Sequence, residues 1–133
     1  MNQVIIDRAR ALECPGLAVI ATDAAGVVCY WGHGAESLYG WTAAEALGRD
    51  ITELTPGEPS REQAREIMSR LSQGLSWCGE FLVRRRDGTP FIAEVNDTPV
   101  YGDNGRLVGV IGTSHHARPV RPTADAPLIR GSS

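Results

Sequence analysis

Ser114, His115 and His116 stand side by side in this 133-residue chain, with Asp97 upstream on what reads as a neighbouring strand. These are the residue types of a nucleophile, a base and an acid, so hydrolysis is the first chemistry to weigh. Two features argue against it. The serine lacks the Gly-x-Ser-x-Gly elbow that exposes a nucleophile. Neighbours on an extended strand also point to opposite faces, so adjacent serine and histidine side chains do not form a nucleophile–base pair. The same divergence makes His115 and His116 poor joint metal ligands. Cys14, Cys29 and Cys78 are odd in number, widely spaced and without a Cys-x-x-Cys pair, which speaks against a zinc site or a disulfide framework. All 13 basic residues are arginine, which removes Schiff-base and Walker-type lysine chemistry. Gly32-x-Gly34 opens a helix after a strand, but Ser37 occupies the third glycine position of a dinucleotide fingerprint. The reading is a protein that is not an enzyme.

The elements that would position these residues come from a chain of one-domain length, 42% hydrophobic and 22% charged. Its net charge of −3 argues against nucleic-acid or membrane-surface partners, which usually show as a basic excess. Arg84-Arg85-Arg86 is the one local basic run and reads as a solvated strand end. No apolar run approaches a membrane span and no secretory leader is recognisable, so a cytoplasmic location with reduced thiols is expected.

Residues 1–13 carry Val4, Ile5, Ala9 and Leu12 on a helical stripe, stopped by Pro15-Gly16. Leu17–Ala21 and Val27–Trp31 read as a hairpin around Asp23-Ala-Ala-Gly26. Thr42-Ala-Ala-Glu45 and Ser60-Arg-Glu-Gln63 are capping boxes, the second opening the longest helix, with Ala64, Ile67, Met68, Leu71 and Leu75 on its apolar face. Three strands follow, over 77–86, 89–101 and 107–115, punctuated by Asp87-Gly88 and Asp103-Asn-Gly105. The order predicts an α+β domain on one five-stranded antiparallel sheet, with a helical insertion between strands 2 and 3 covering one face. Residues 117–133 are Pro-rich and read as a solvated tail. Pro119 disfavours helix at Arg118 and argues against a continuous transmitter helix there.

Several stretches resemble a PAS domain in their order and spacing: Trp31-x-x-Gly34-Ala35-Glu36-x-Leu38-Tyr39-Gly40-Trp41, Glu45-Ala-Leu-Gly48-Arg49, Trp77-x-Gly79-Glu80, Arg84-Arg-Arg-Asp87-Gly88-Thr89, and Asp103-x-x-Gly105 through Ser114. The resemblance implies a PAS fold over residues 14–116 and a sensory, signal-transducing role. It implies a pocket between sheet and insertion, lined by Phe81, Val83, Phe91, Ala93, Val95, Asp97, Gly112 and Ser114 from the strands and by Ile67 and Leu71 from the long helix. An inward Asp97 needs a partner, for which Ser114, a tryptophan N–H, a water or a ligand are candidates. The alternative is a bulge that turns Asp97 to solvent.

For the occupant, the resemblance offers three classes. Light-sensing flavin members carry a reactive cysteine after the Gly-Arg of the insertion, where this chain has Ile51, and amide side chains where it has Val83, Ala93 and Ser114. Haem members carry an axial histidine on the long helix, where residues 60–75 have none; His33 is the remaining candidate ligand. A small organic or acyl ligand fits better than a redox flavin, and haem fits least. A ligand-free interaction module is the alternative. PAS domains also pair, so a homodimer and an output domain or partner protein are expected. The N-terminal helix is either the dimer contact or packed on its own sheet.

Overall fold

A computed structural model describes residues 2–56 and 61–119. The elements are α1 (Gln3–Ala11), β1 (Ala18–Asp23), β2 (Val28–Trp31), α2 (His33–Tyr39), α3 (Ala43–Ala46), a 3-10 turn (Ile51–Glu53), α4 (Arg61–Ser72), β3 (Trp77–Arg84), β4 (Pro90–Tyr101) and β5 (Leu107–Pro119). The five strands form one sheet in the order β2-β1-β5-β4-β3, and every pairing is antiparallel. The expected architecture is therefore present, with β5 at its centre and α2, α3 and α4 inserted between β2 and β3.

Period-2 alternation splits the apolar residues into two layers. Ala18 and Ile20 face the insertion with Trp31, Tyr39, Phe81, Phe91 and Val110, whereas Val19 and Ala21 face the other side with Val100 and Ile111. That second layer is closed by α1, whose Ile5 and Ala9 are fully buried. Of the helix residues considered for a dimer contact, Ile5 is thus committed to its own sheet, while Val4 (52%) and Leu12 (46%) stay exposed.

The local signals act as expected. Thr42 and Glu45 form the reciprocal capping box; the box proposed at Ser60 lies outside the described residues. Gly34 is required by contact: a Cβ there would run into the Leu17 carbonyl, so its absence lets α2 lie directly on the start of β1.

Two readings are corrected. The arginine run is not a solvated strand end. Arg84 donates to the Glu53 carbonyl at 3.0 Å, Arg85 to the Leu38 carbonyl at 2.6 Å, and Arg86 pairs with Glu45 at 2.8 Å while lying over the Trp41 ring. Each arm ties the β3–β4 hairpin to a different part of the insertion. The tail also begins later than residue 117, because Phe91 and Ile92 of β4 extend the ladder to Pro119 and Arg118 of β5. Residues 120–133 lie outside the described residues.

Arg85 also stacks over Phe91, 4.9 Å from the ring centroid. Arg85→Ala is expected to lower unfolding free energy by about 1–2 kcal/mol, through the lost carbonyl bond and the lost cation–π contact. Urea denaturation monitored by tryptophan fluorescence checks this.

Candidate functional site

Cross-strand register sets up the site. Trp77, Asp97, Gly112 and Ile20 form one row across β3, β4, β5 and β1; Gly79, Val95, Ser114 and Ala18 form the next. The second row is made largely of small residues, so the sheet leaves a hollow where α4 and the 3-10 turn arch over it. The cavity there has a volume of about 110 Å³. Ile67, Met68 and Leu71 of α4 and Ile51 of the turn form its roof, with Ile20, Trp77, Phe81, Val83, Val95 and Val110 as apolar walls. The polar groups are Asp97, Ser114, Tyr39 and three threonines, Thr22, Thr52 and Thr55.

Eight of the ten residues expected to line the pocket do so: Ile67, Leu71, Phe81, Val83, Val95, Asp97, Gly112 and Ser114. Phe91 and Ala93 point to the same face but do not reach the cavity. Phe91 sits inside an aromatic cluster, 5.8 Å from Tyr39 and stacked at 5.1 Å on His116, and this cluster fills that end of the layer.

Asp97 faces inward, without the bulge that would turn it to solvent: the β4–β5 register shifts only at Ile92/Ala93 and Val100/Tyr101. Its carboxylate lies over Gly112, where an ideal Cβ would stand 2.5 Å from Oδ1. Gly112 is thus needed for close approach and not for its backbone angles. Among the described residues the carboxylate has no hydrogen-bonding or ionic partner. Burial alone pushes its carboxyl up to about 7. The Asp97 side chain is one of the groups lining the cavity.

Ser114, a candidate partner for Asp97, is engaged elsewhere. Its Oγ is 2.8 Å from the Tyr39 hydroxyl in a buried hydrogen bond. Tyr39 was not anticipated as a site residue. It is carried by α2, packs against Trp31 at 5.9 Å, and its hydroxyl is pushed up to about 12, chiefly by burial. Its only sequence signal is its place in the Leu38-Tyr39-Gly40-Trp41 stretch, which says nothing of a partner on the last strand.

Among the described residues the lining carries neither the cysteine of a light-sensing flavin site nor a histidine for haem. Ile51 lines the cavity, so the position of the light-sensing cysteine faces the right space with an unreactive side chain; none of the three cysteines is among the lining residues. No histidine lines it either, and the His33 side chain is 99% exposed. His115 and His116 diverge as expected, His115 lying 3.9 Å from Glu94 and His116 stacking on Phe91.

A hollow between an antiparallel sheet and a helical insertion is the sensor site of one family, and comparison with known proteins agrees. The family model of the PAS fold matches residues 7–116, and the chain belongs to that family of sensory modules. It is similar to phototropin-2 of Oryza sativa subsp. japonica, 27% identical over 112 residues that cover 84% of this chain and 12% of that protein. The chain therefore spans about an eighth of that relative's length. Among solved structures it is similar to a PAS domain from Colwellia psychrerythraea, with a TM-score of 0.72, 28% identity and coverage of 86% of this chain and 98% of that one. It is also similar to an RNA-binding light-oxygen-voltage receptor, with a TM-score of 0.69, 25% identity and coverage of 84% and 33%.

The sign of the Asp97 effect on stability follows from its raised carboxyl. Between pH 3.8, its ordinary value, and about 7, the folded chain holds a proton that the unfolded chain has released. Stability therefore falls as pH rises through that window and levels off above it. Asp97→Asn is expected to remove this slope and to be more stable than the parent at pH 8 by a few kcal/mol, on the order of 1.4 kcal/mol per unit of difference. Thermal melts of both proteins between pH 4 and pH 8 test it.

Proposed function

We propose that this domain senses a small, mainly apolar molecule bound between sheet and insertion, and signals its occupancy through contacts with a second copy or a partner protein. The observation that carries this reading is the Asp97 carboxylate, turned into an apolar cavity and without a protein partner. A buried carboxylate of that kind is expensive to keep, and a ligand that satisfies it offsets the expense on binding. The cavity volume supports a ligand of about one ring or a short chain, well below a flavin or haem. The exposed Val4 and Leu12 on α1 support pairing beside a second copy. A full regulatory activity, with an output domain or partner protein and a cytoplasmic location, belongs to the same proposal.

The small volume also favours a second reading, a ligand-free interaction module whose cavity holds only water.

Native mass spectrometry of freshly purified protein, with an absorbance spectrum, separates the two. The expected result is a dimer carrying a small organic mass without visible absorbance. Ile67→Trp, which fills the roof of the cavity, is expected to lose that mass while keeping the fold by circular dichroism. An empty chain would favour the interaction module, and a flavin or haem spectrum would overturn the small-ligand reading.

A further inference from the structure

Resting on the ligand-sensing reading, we infer that the cavity selects a small apolar amine, whose ammonium group donates to Asp97 while its hydrocarbon part fills the space under α4. The inference starts from the inventory of donors and acceptors. Ionised, a carboxylate only accepts, and the nearest matched pair of hydroxyls, Tyr39 and Ser114, is already joined to itself. Apart from Asp97, no lining side chain carries a formal charge among the described residues.

This asymmetry discriminates by charge. A ligand ending in a carboxylate would bring a second anion beside Asp97, with no arginine or histidine to neutralise either one, and one of the two would have to stay protonated. A free carboxylic acid is therefore disfavoured above about pH 7, where Asp97 is ionised. An ammonium group instead forms a charge-assisted hydrogen bond to the carboxylate and cancels the buried charge. Gly112 contributes directly, because the absence of its Cβ lets the carboxylate lie flat against β5. The size limit comes from the hollow itself: at about 110 Å³ it is somewhat smaller than the roughly 150 Å³ apolar cavity that accepts a benzene ring, so a single ring is the upper bound.

The pH behaviour follows from the groups facing Asp97. α2 brings Tyr39, whose hydroxyl stays neutral up to about 12. β1, β3, β5 and α4 bring no charged side chain to the lining among the described residues. Amine affinity should thus rise as pH increases through about 7, while the affinity of a neutral analogue should stay level.

Benzylamine, benzyl alcohol and benzoate, matched in ring size, test this on the full chain by following the Gly112 and Ser114 amides in ¹H–¹⁵N spectra at pH 6 and pH 8. Benzylamine is expected to bind at least about tenfold more tightly than benzyl alcohol at pH 8, the scale of one charge-assisted bond, with benzoate weakest. Asp97→Asn is expected to erase the amine advantage while benzyl alcohol still shifts both amides. Benzoate binding as well as benzylamine, or an amine advantage that survives in Asp97→Asn, overturns the inference and leaves the pocket reading standing. If none of the probes moves these amides, both fall.

Discussion

A single buried hydrogen bond, between the Tyr39 hydroxyl and Ser114 Oγ, organises the inner face of this domain. It joins the end of α2 to the central strand across 75 residues of sequence. Two hydroxyls placed there must be satisfied inside the protein, because water lost on burial is otherwise not replaced. By satisfying each other they divide the layer. On one side Trp31 and Phe91 pack against the Tyr39 ring, with His116 stacked on Phe91 beyond them; on the other lies the cavity. Ser114 is turned to Tyr39 and makes no hydrogen bond to Asp97.

The hollow has an equally simple origin. Sheets are filled when cross-strand rows carry side chains of complementary volume. Here one row holds Gly79, Ser114 and Ala18, and its neighbour holds Gly112. The Trp77 ring folds toward Gly79 at 3.3 Å from an ideal Cβ, and Asp97 folds over Gly112. Both side chains line the cavity from the sheet side. Arg84 and Arg85 of the β3–β4 hairpin bond to backbone carbonyls of the insertion, and Arg86 pairs with Glu45 of α3. The sheet and insertion of the PAS fold are thus tied together in this chain by three arginine arms.

Much of this was legible in the residues. Asp87-Gly88 and Asp103-Asn-Gly105 mark real hairpins and Thr42 caps a real helix; alternation along β4 leaves two faces open, and the resemblance, with a bulge as its alternative, places Asp97 inward. The resemblance places Ile51 at the cysteine position, and it does line the cavity. Three things were not legible, each for a physical reason. Tyr39 finds its partner only through tertiary packing, which local pattern does not encode. Arg84, Arg85 and Arg86 reach two backbone carbonyls and one carboxylate, and carbonyl acceptors have no side-chain signature. Ile5 and Val4 belong to one apolar stripe, yet one is sealed and the other exposed, because successive helix residues lie about 100° apart and only one of the two faces the sheet.

β5 runs from the cavity wall to Pro119 with one register shift opposite Ile92 and Ala93, and that course limits how occupancy of the cavity, in the proposed sensing role, is transmitted. A strand cannot slip by one residue without turning its whole inner set outward, and β5 is held by ladders on both sides as far as Ser114 and by β4 alone from there to Pro119. Longitudinal sliding, the stroke of a piston, is therefore closed to it. What remains is torsion. In the proposed sensing role, a molecule against Gly112 and Ser114 would act on the coiling of a central strand, and at about 3.3 Å per residue the five steps from Ser114 to Pro119 span roughly 16 Å. Whatever contacts the end of β5 is positioned to sense an angle, not a displacement.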